Sequence, residues 1–357
     1  MTNEEIYYTI ALTRLSGVSH GVTLQLYREL GSGRAVYEET RQRFPWDEAL
    51  RRAAAEMEFC TKNNIQVLTL NDADFPRRLS ECPDAPITLY YKGTADLNQQ
   101  RVINIVGTRQ CTTYGQDIIR RFIKDLHKLC PDVLIVSGLA YGVDIHAHRH
   151  ALQNGYETVG VLAHGLDQIY PHHHRDTAAA MVEQGGLLTE YMSQTQALPN
   201  NFRQRNRIVA GMSDATILVE SAYKGGGLIT CRIAQEYGRD VFAFPGAVGM
   251  PYSEGCNKMI RDNTAALITE AQDFVEAMGW KVSGKQLAVS VEGELFPDLT
   301  AEEQRVVDVL RKTNDLQQNM LSVQANIAIG PLTALLFQLE MKGAVKVMAG
   351  GTVHLLS

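Results

Sequence analysis

The densest chemistry in this chain lies in Asn200-Asn201-Phe202-Arg203-Gln204-Arg205-Asn206-Arg207, which holds three arginines, one aromatic and no acid. A guanidinium grips phosphate through a planar fork. A phenyl ring offers a face on which a nucleobase stacks, worth about 1–3 kcal/mol per base. Arginine beside an aromatic therefore suits a single-stranded nucleic acid, and the alternative is a solvated face around a buried Phe202. Lys258 and Arg261 add positive charge further along.

Four glycine-bearing turns follow apolar runs or precede a helical pattern. They are Val106-Gly107-Thr108-Arg109, the stretch from Ser137-Gly138 to Asp144, Gly225-Gly226-Gly227 leading to Thr230, and Pro245-Gly246. Glycine at a strand end lets backbone amides approach an anion with no side chain in the way. Four such turns in one region point to a phosphate-bearing ligand. The chain has no GxxxxGK[ST], GxGxxG, GxSxG or HExxH pattern, so P-loop hydrolysis, dinucleotide binding and the common hydrolase chemistries have no anchor. His146, His148, His150 and the run His172-His173-His174 lack an acid or cysteine at ligand spacing; they read as surface histidines, and no metal or cofactor is expected.

The elements that must carry these residues are short apolar runs at Ile65–Leu70, Ile87–Tyr91, Val102–Val106, Val133–Val136, Thr158–Leu162, Ala215–Val219 and Val241–Phe244, most of them separated by helical patterns. Strand–helix alternation with nearly continuous apolar strands predicts an α/β fold, an extended Rossmann-like, mostly parallel sheet covered on both faces, over residues 65–280. Ligands of such sheets bind beyond the carboxyl ends of the strands, where the glycine turns fall. Residues 1–64 read as short helices about the glycine turns at Gly17 and at Gly31-Ser32-Gly33. That layout resembles a helix-hairpin-helix (SAM-like) unit, but no Lys or Arg occupies the first turn, which favours a plain packing module. Residues 281–297 read as a linker. Residues 298–357 read as three helices and a hairpin, a winged-helix layout. That last region has five bases and six acids, a net charge of −1, and its second-last element, Gly330 to Met341, carries no base. A duplex-reading helix presents Arg, Lys, Asn or Gln to the bases, so this unit is expected to bind protein or pack internally.

Bulk properties exclude less. The net charge of −6 argues against a coat of positive charge but permits a local basic groove. Six scattered cysteines without a CxxC fit a reducing cytoplasm. No apolar run reaches the roughly 18 residues of a membrane span.

In order along the chain, Ile105-Val106-Gly107-Thr108-Arg109, Ser137-Gly138-Leu139-Ala140 through Asp144 with Ala147-His148-Arg149, Gly165-Leu166-Asp167 with Tyr170-Pro171, Asn201-Phe202 with Arg205-Asn206-Arg207-Ile208-Val209-Ala210-Gly211, Gly227-Leu228-Ile229-Thr230, Val241 to Gly246, and Gly255-Cys256-Asn257 resemble the motifs of the DNA-processing protein A (DprA/Smf) family. The resemblance implies a non-enzymatic, homodimeric, cytoplasmic protein of natural transformation and recombination. It would bind and protect incoming single-stranded DNA and load the RecA recombinase onto it. It assigns the DNA pocket to Gly107, Thr108, Arg109, Ser137, Gly138, Arg175, Asn201, Phe202, Arg203, Arg205, Arg207, Gly226, Gly227, Thr230 and Lys258. Arg109 would hold a phosphate, Phe202 would stack a base, and Arg205 would add charge at the same rim. The chain departs from the family pattern at Gly226-Gly227, where a glycine-serine pair is usual, and at His172-His173-His174. The competing reading is a nucleotide-binding or nucleoside monophosphate-cleaving enzyme on a related sheet. Its one candidate acid is Glu220, just ahead of Gly225.

Overall fold

The computed structural model describes residues 2–281, 299–348 and 350–355; apart from Lys281, the expected linker lies outside the described residues. The chain forms two compact units, Met1–Arg120 with Val133–Leu267, and Arg121–Asp132 with Ile268–Ser357.

The first unit opens with helices α1 (Asn3–Leu12), α2 (His20–Leu30), α3 (Gly33–Thr40) and α4 (Trp46–Lys62). The glycines here serve packing. Gly31 caps α2 in the left-handed conformation at φ 78°, and a Cβ on Gly33 would run into the backbone of Thr9 on α1. The Glu5 carboxylate accepts from the backbone amides of Gly33 and Arg34, so the chain's own anion fills the start of α3. The apolar faces of these helices share one core with Ile87, Tyr90 and Met192 from the sheet region.

The sheet elements follow as β1 (Gln66–Thr69), α5 (Arg77–Ser80), β2 (Thr88–Gly93), β3 (Val102–Val106), α6 (Thr113–Leu129), β4 (Leu134–Ser137), α7 (Val143–Gln153), β5 (Thr158–Val161), α8 (Arg175–Glu183), β6 (Gly185–Thr189), α9 (Pro199–Gly211), β7 (Ala215–Leu218), α10 (Gly226–Glu236), β8 (Asp240–Ala243), α11 (Glu254–Arg261) and β9 (Ala266–Leu267). The nine strands lie in the order β1-β2-β6-β5-β4-β3-β7-β8-β9. From β6 to β9 every pairing is parallel. The pairs β1–β2 and β2–β6 are antiparallel and close one edge. Every residue of β3 is buried, as a parallel strand covered on both faces requires.

β6 is a strand the apolar-run pattern did not indicate, because it opens on Gly185-Gly186. The glycines are there for close approach: a Cβ on Gly186 would meet the Tyr91 hydroxyl at 2.7 Å. The order also creates a switch point. The chain builds β4, β5 and β6 outward on one side of β3, then crosses to β7, β8 and β9 on the other. Loops leaving β3 and β7 thus diverge and open a crevice at the carboxyl edge. At the opposite end Asp214 accepts from the Val102 amide (2.9 Å) and pairs with Arg78 (2.6 Å), pinning β3 beside β7.

The second unit includes α12 (Ala271–Ala277), α13 (Ala301–Lys312), β10 (Leu316–Gln317), α14 (Gln318–Ala325), α15 (Ile329–Met341), β11 (Val345–Val347) and β12 (Thr352–Leu355). Its three strands pair antiparallel in the order β10-β12-β11, over a core of Val306, Leu310, Leu332, Leu336, Leu339 and neighbours. Among the described residues no single helix is long and apolar enough to cross a membrane.

Candidate functional site

The crevice at the switch point is a cleft of about 510 Å³. Gly107, Thr108 and Arg109 enter its wall from the end of β3, Gly138 and Ala140 from β4, and Tyr170 from the loop after β5. Helix α9 supplies Phe202, Arg203, Arg205 and Asn206, and the start of α10 supplies Lys224 through Gly227 and Thr230. Four cationic side chains line it against one carboxylate, Asp144.

Helical spacing decides what the arginine-rich segment does. Pro199, Phe202, Arg203 and Asn206 recur at the three- and four-residue steps of one helix face, and all four line the cleft. Phe202 is half-buried there. The Arg109 guanidinium lies over its ring at 5.1 Å, and the Tyr170 ring stands beside it at 5.8 Å and a 59° tilt. Arg109 and Arg203 are exposed, with no carboxylate within ion-pair distance among the described residues. The cleft thus holds an aromatic pair with a guanidinium on top, a cation–π arrangement that leaves the charge open to an anion.

The start of α10 is the second feature. Its N-cap is Gly225, with no side-chain cap and no acid in the first turn. Its free amides and the positive end of its dipole meet the cleft. Gly226 looks into open space, whereas a Cβ on Gly227 would sit 3.1 Å from the Gly107 Cα and 2.8 Å from Leu218. Gly107 would in turn press on Val143 at 2.6 Å. Of these three glycines only Gly226 has the open approach that anion binding requires; the other two are glycine because two loops pack backbone to backbone.

Several expected site residues are placed elsewhere. Arg205 touches the cleft but is only 4 % exposed. Its Nη1 donates to the carbonyls of Gly138 (2.6 Å) and Val161. Arg205 is therefore a clamp across the ends of β4 and β5, and the expected rim charge is corrected to a structural cation. Burial lowers its pKa and raises that of Asp144 nearby. Arg207 pairs with Glu190 and is not among the residues of the cleft wall, so its charge is neutralised within the protein. Ser137 is fully buried and donates to the Ile105 carbonyl at 2.6 Å. Asn201 donates to the Gln196 carbonyl at 3.0 Å, off the wall. Arg175 is exposed at the start of α8, also off the wall. Lys258 lies outside the cleft with its ammonium 4.9 Å over the Tyr223 ring.

The candidate acid of the enzymatic reading is also committed. Glu220 is 3 % exposed, and its carboxylate accepts from the Thr112 hydroxyl (2.6 Å) and amide (2.8 Å). It braces the turn ahead of α6. The histidines depart from the surface expectation too: His148 and His174 are core residues, 0 % and 4 % exposed. The Thr158 hydroxyl donates to the Ile135 carbonyl at 2.8 Å and so accepts from the His148 Nδ1–H at 2.7 Å. Burial pushes the His148 pKa down to about 3, and the ring is neutral. Among the described residues no group of three or more His, Cys, Asp or Glu is arranged to hold a metal.

Residues 66–279 match the family described as DNA recombination-mediator protein A. The chain belongs to that family. The DNA processing protein DprA of Streptococcus pneumoniae is 40 % identical over 204 residues, covering 57 % of this chain and 71 % of the relative. The X-ray structure of DNA processing protein A from Streptococcus pneumoniae superposes with a TM-score of 0.65 at 33 % identity, covering 77 % of this chain and 98 % of that one. A DNA processing protein A from Helicobacter pylori, described for its single-stranded DNA binding mode, gives a TM-score of 0.53 at 30 % identity, over 59 % of this chain and 94 % of that one. The span matched to the recombination-mediator family holds every wall of the cleft; α1–α4 and the elements from α13 onward lie beyond it.

Sequence reasoning missed Tyr170, Lys224 and Asn206 as wall residues, and Tyr223 beside Lys258. Lys224 was open to inference, since it directly precedes the glycine run that caps α10. Tyr170 entered the sequence reading only as part of the Gly165-to-Pro171 motif, because its contact with Phe202 joins a loop to helix α9, 32 residues on.

Proposed function

We propose that the cleft binds single-stranded DNA, and that the protein is a homodimer that protects the strand and hands it to the RecA recombinase as a recombination mediator. The observation that carries the binding step is Arg109 over Phe202, with Tyr170 alongside, in a cleft that also receives the uncapped start of α10. Neighbouring aromatic rings with unpaired guanidinium groups suit a flexible polyanion whose bases are free. A mononucleotide-cleaving enzyme would instead set an exposed acid at the phosphate edge; Glu220 is engaged with Thr112, and Asp144 on the cleft wall is buried and accepts from the Ala140 amide. The Helicobacter pylori relative, described for single-stranded DNA binding, supports the choice of ligand. Membership of a recombination-mediator family supports the handover.

The unit around α13–α15 we read as a winged helix that does not decode duplex sequence. The outward face of α15 shows Phe337 and Met341, 66 % and 76 % exposed, and no base.

The test is fluorescence anisotropy with an oligothymidine and with a duplex of equal length, at two salt concentrations, without nucleotide or metal. Single-strand preference is expected. Phe202→Ala should weaken single-strand binding about ten-fold, in line with one lost base stack, with little change in salt dependence. Equal affinity for duplex, or full affinity after the substitution, overturns the reading.

A further inference from the structure

The most exposed tyrosines of the described residues are Tyr114, Tyr141, Tyr170 and Tyr223, at 46 %, 44 %, 47 % and 51 %. All four lie just after parallel strands, on the carboxyl edge of the sheet: they follow β3, β4, β5 and β7. Three have partners that fix their rings. The Tyr114 hydroxyl donates to the Pro245 carbonyl, Tyr141 meets His174 edge-on, and Tyr170 borders Phe202. Tyr223 differs. Among the described residues its hydroxyl has no hydrogen-bond partner, and its ring contact is the Lys258 ammonium at 4.9 Å. About half of the side chain remains exposed to solvent.

Resting on the single-strand reading, we infer that Tyr223 and Lys258 form a second nucleotide station, separate from the one at Phe202. The base stacks on the open face of Tyr223, and Lys258 neutralises the adjoining phosphate. Placement supports this. Tyr170 and Phe202 sit on the β5–β4 side of the switch point, whereas Tyr223 follows β7 and Lys258 lies on the helix after β8. Between β5 and β7 are three strand spacings, about 14 Å at 4.7–4.9 Å each. A strand rising about 3.4 Å per nucleotide covers that in about four nucleotides, and an extended strand in fewer. Lys224, Gly226 and Arg109 occupy the interval, so the connecting backbone passes open amides and unpaired cations. A lysine already seated on an aromatic loses little freedom when a phosphate arrives, which lowers the ordering cost of binding. The resemblance already assigns Lys258 to the DNA pocket; Tyr223 stands in none of the motifs quoted above, so its ring is the new element of the station.

The experiment measures affinities of the intact protein, Tyr223→Ala, Tyr223→Phe and Phe202→Ala for dT2, dT4 and dT8, with melting temperatures alongside. A dinucleotide cannot bridge the two stations; an octamer can. Tyr223→Ala is expected to bind dT8 about ten-fold more weakly and dT2 unchanged, to melt normally because the ring is exposed, and to be rescued by Tyr223→Phe. Unchanged dT8 affinity overturns the second station and leaves the Phe202 reading intact. An equal loss for dT2 and dT8 also overturns it, since Tyr223 would then act on the first station. If Phe202→Ala changes neither length, the single-strand reading itself fails.

Discussion

Arg109→Ala and Arg205→Ala remove the same chemical group from two sides of one cleft, and the structure gives them opposite phenotypes. Arg205 is buried and spends its guanidinium on two carbonyls at the ends of β4 and β5. Hydrogen bonds from a charged donor contribute about 1.5–3 kcal/mol each. The desolvation of the buried guanidinium, which the substitution relieves, offsets part of that. A net loss of about 3 kcal/mol is expected, and at roughly 2–4 °C per kcal/mol for a unit of this size the melting temperature should fall by about 6–12 °C. Arg109 is exposed and bound only to a ring face, so its removal should leave melting unchanged. On single-stranded DNA the order reverses. Loss of one phosphate contact flattens the dependence of log affinity on log salt by about 0.7, and this should appear in Arg109→Ala. Arg205→Ala, assayed well below its melting point, should keep the parental slope. Thermal denaturation and anisotropy titrations at three salt concentrations read both quantities. A normal melting temperature with a reduced slope in Arg205→Ala would refute the clamp and return this residue to the phosphate track.

The neighbouring glycines should also separate. Gly227→Ala should cost about 1–3 kcal/mol by overpacking against Leu218 and Gly107, measured by urea denaturation. Gly226→Ala should be neutral or slightly stabilising while weakening single-strand binding, because its methyl stands in the open approach to the α10 amides. His148 sets an acid limit. Its folded pKa of about 3 lies below an unfolded value near 6.5, so between those values the unfolded chain holds one more proton. The stabilisation is complete above about pH 6.5 and drains at about 1.4 kcal/mol per pH unit as pH falls towards 3. His148→Gln should remove that dependence; relative to the parent it should lose about 2 kcal/mol less between pH 6.5 and 5 by urea midpoint, and an identical pH profile would contradict a buried neutral ring. Deleting residues 298–357 should leave single-strand affinity within about two-fold, and a collapse would place part of the DNA site in the second unit.

The α/β class, the run of strands and the region of the site were legible because they depend on local pattern. Nearly continuous apolar runs such as Val102–Val106, broken only by Asn104, have few other uses, and glycine turns after them mark a carboxyl edge. β6 escaped because no apolar run marks it: its first two residues are Gly185-Gly186, which are small because β2 and Tyr91 cross there. Within the site the limit was finer. Arg203, Arg205 and Arg207 are equivalent in sequence, spaced two apart. On a helix two residues are about 200° of rotation and four about 40°, so Arg205 points away from Arg203, while Arg207 shares the sector of Arg203 and is taken up by Glu190. One meets the cleft, one the sheet ends and one Glu190. Composition counted three cations for the ligand where the helix delivers one. The shortfall is made up by residues remote in sequence, Arg109 from β3 and Lys224 from the loop before α10. The cleft therefore owes its charge to the order of strands at the switch point more than to the segment that looked most basic. A variant that kept all three arginines but displaced the loop after β3 should lose more DNA affinity than one lacking Arg207.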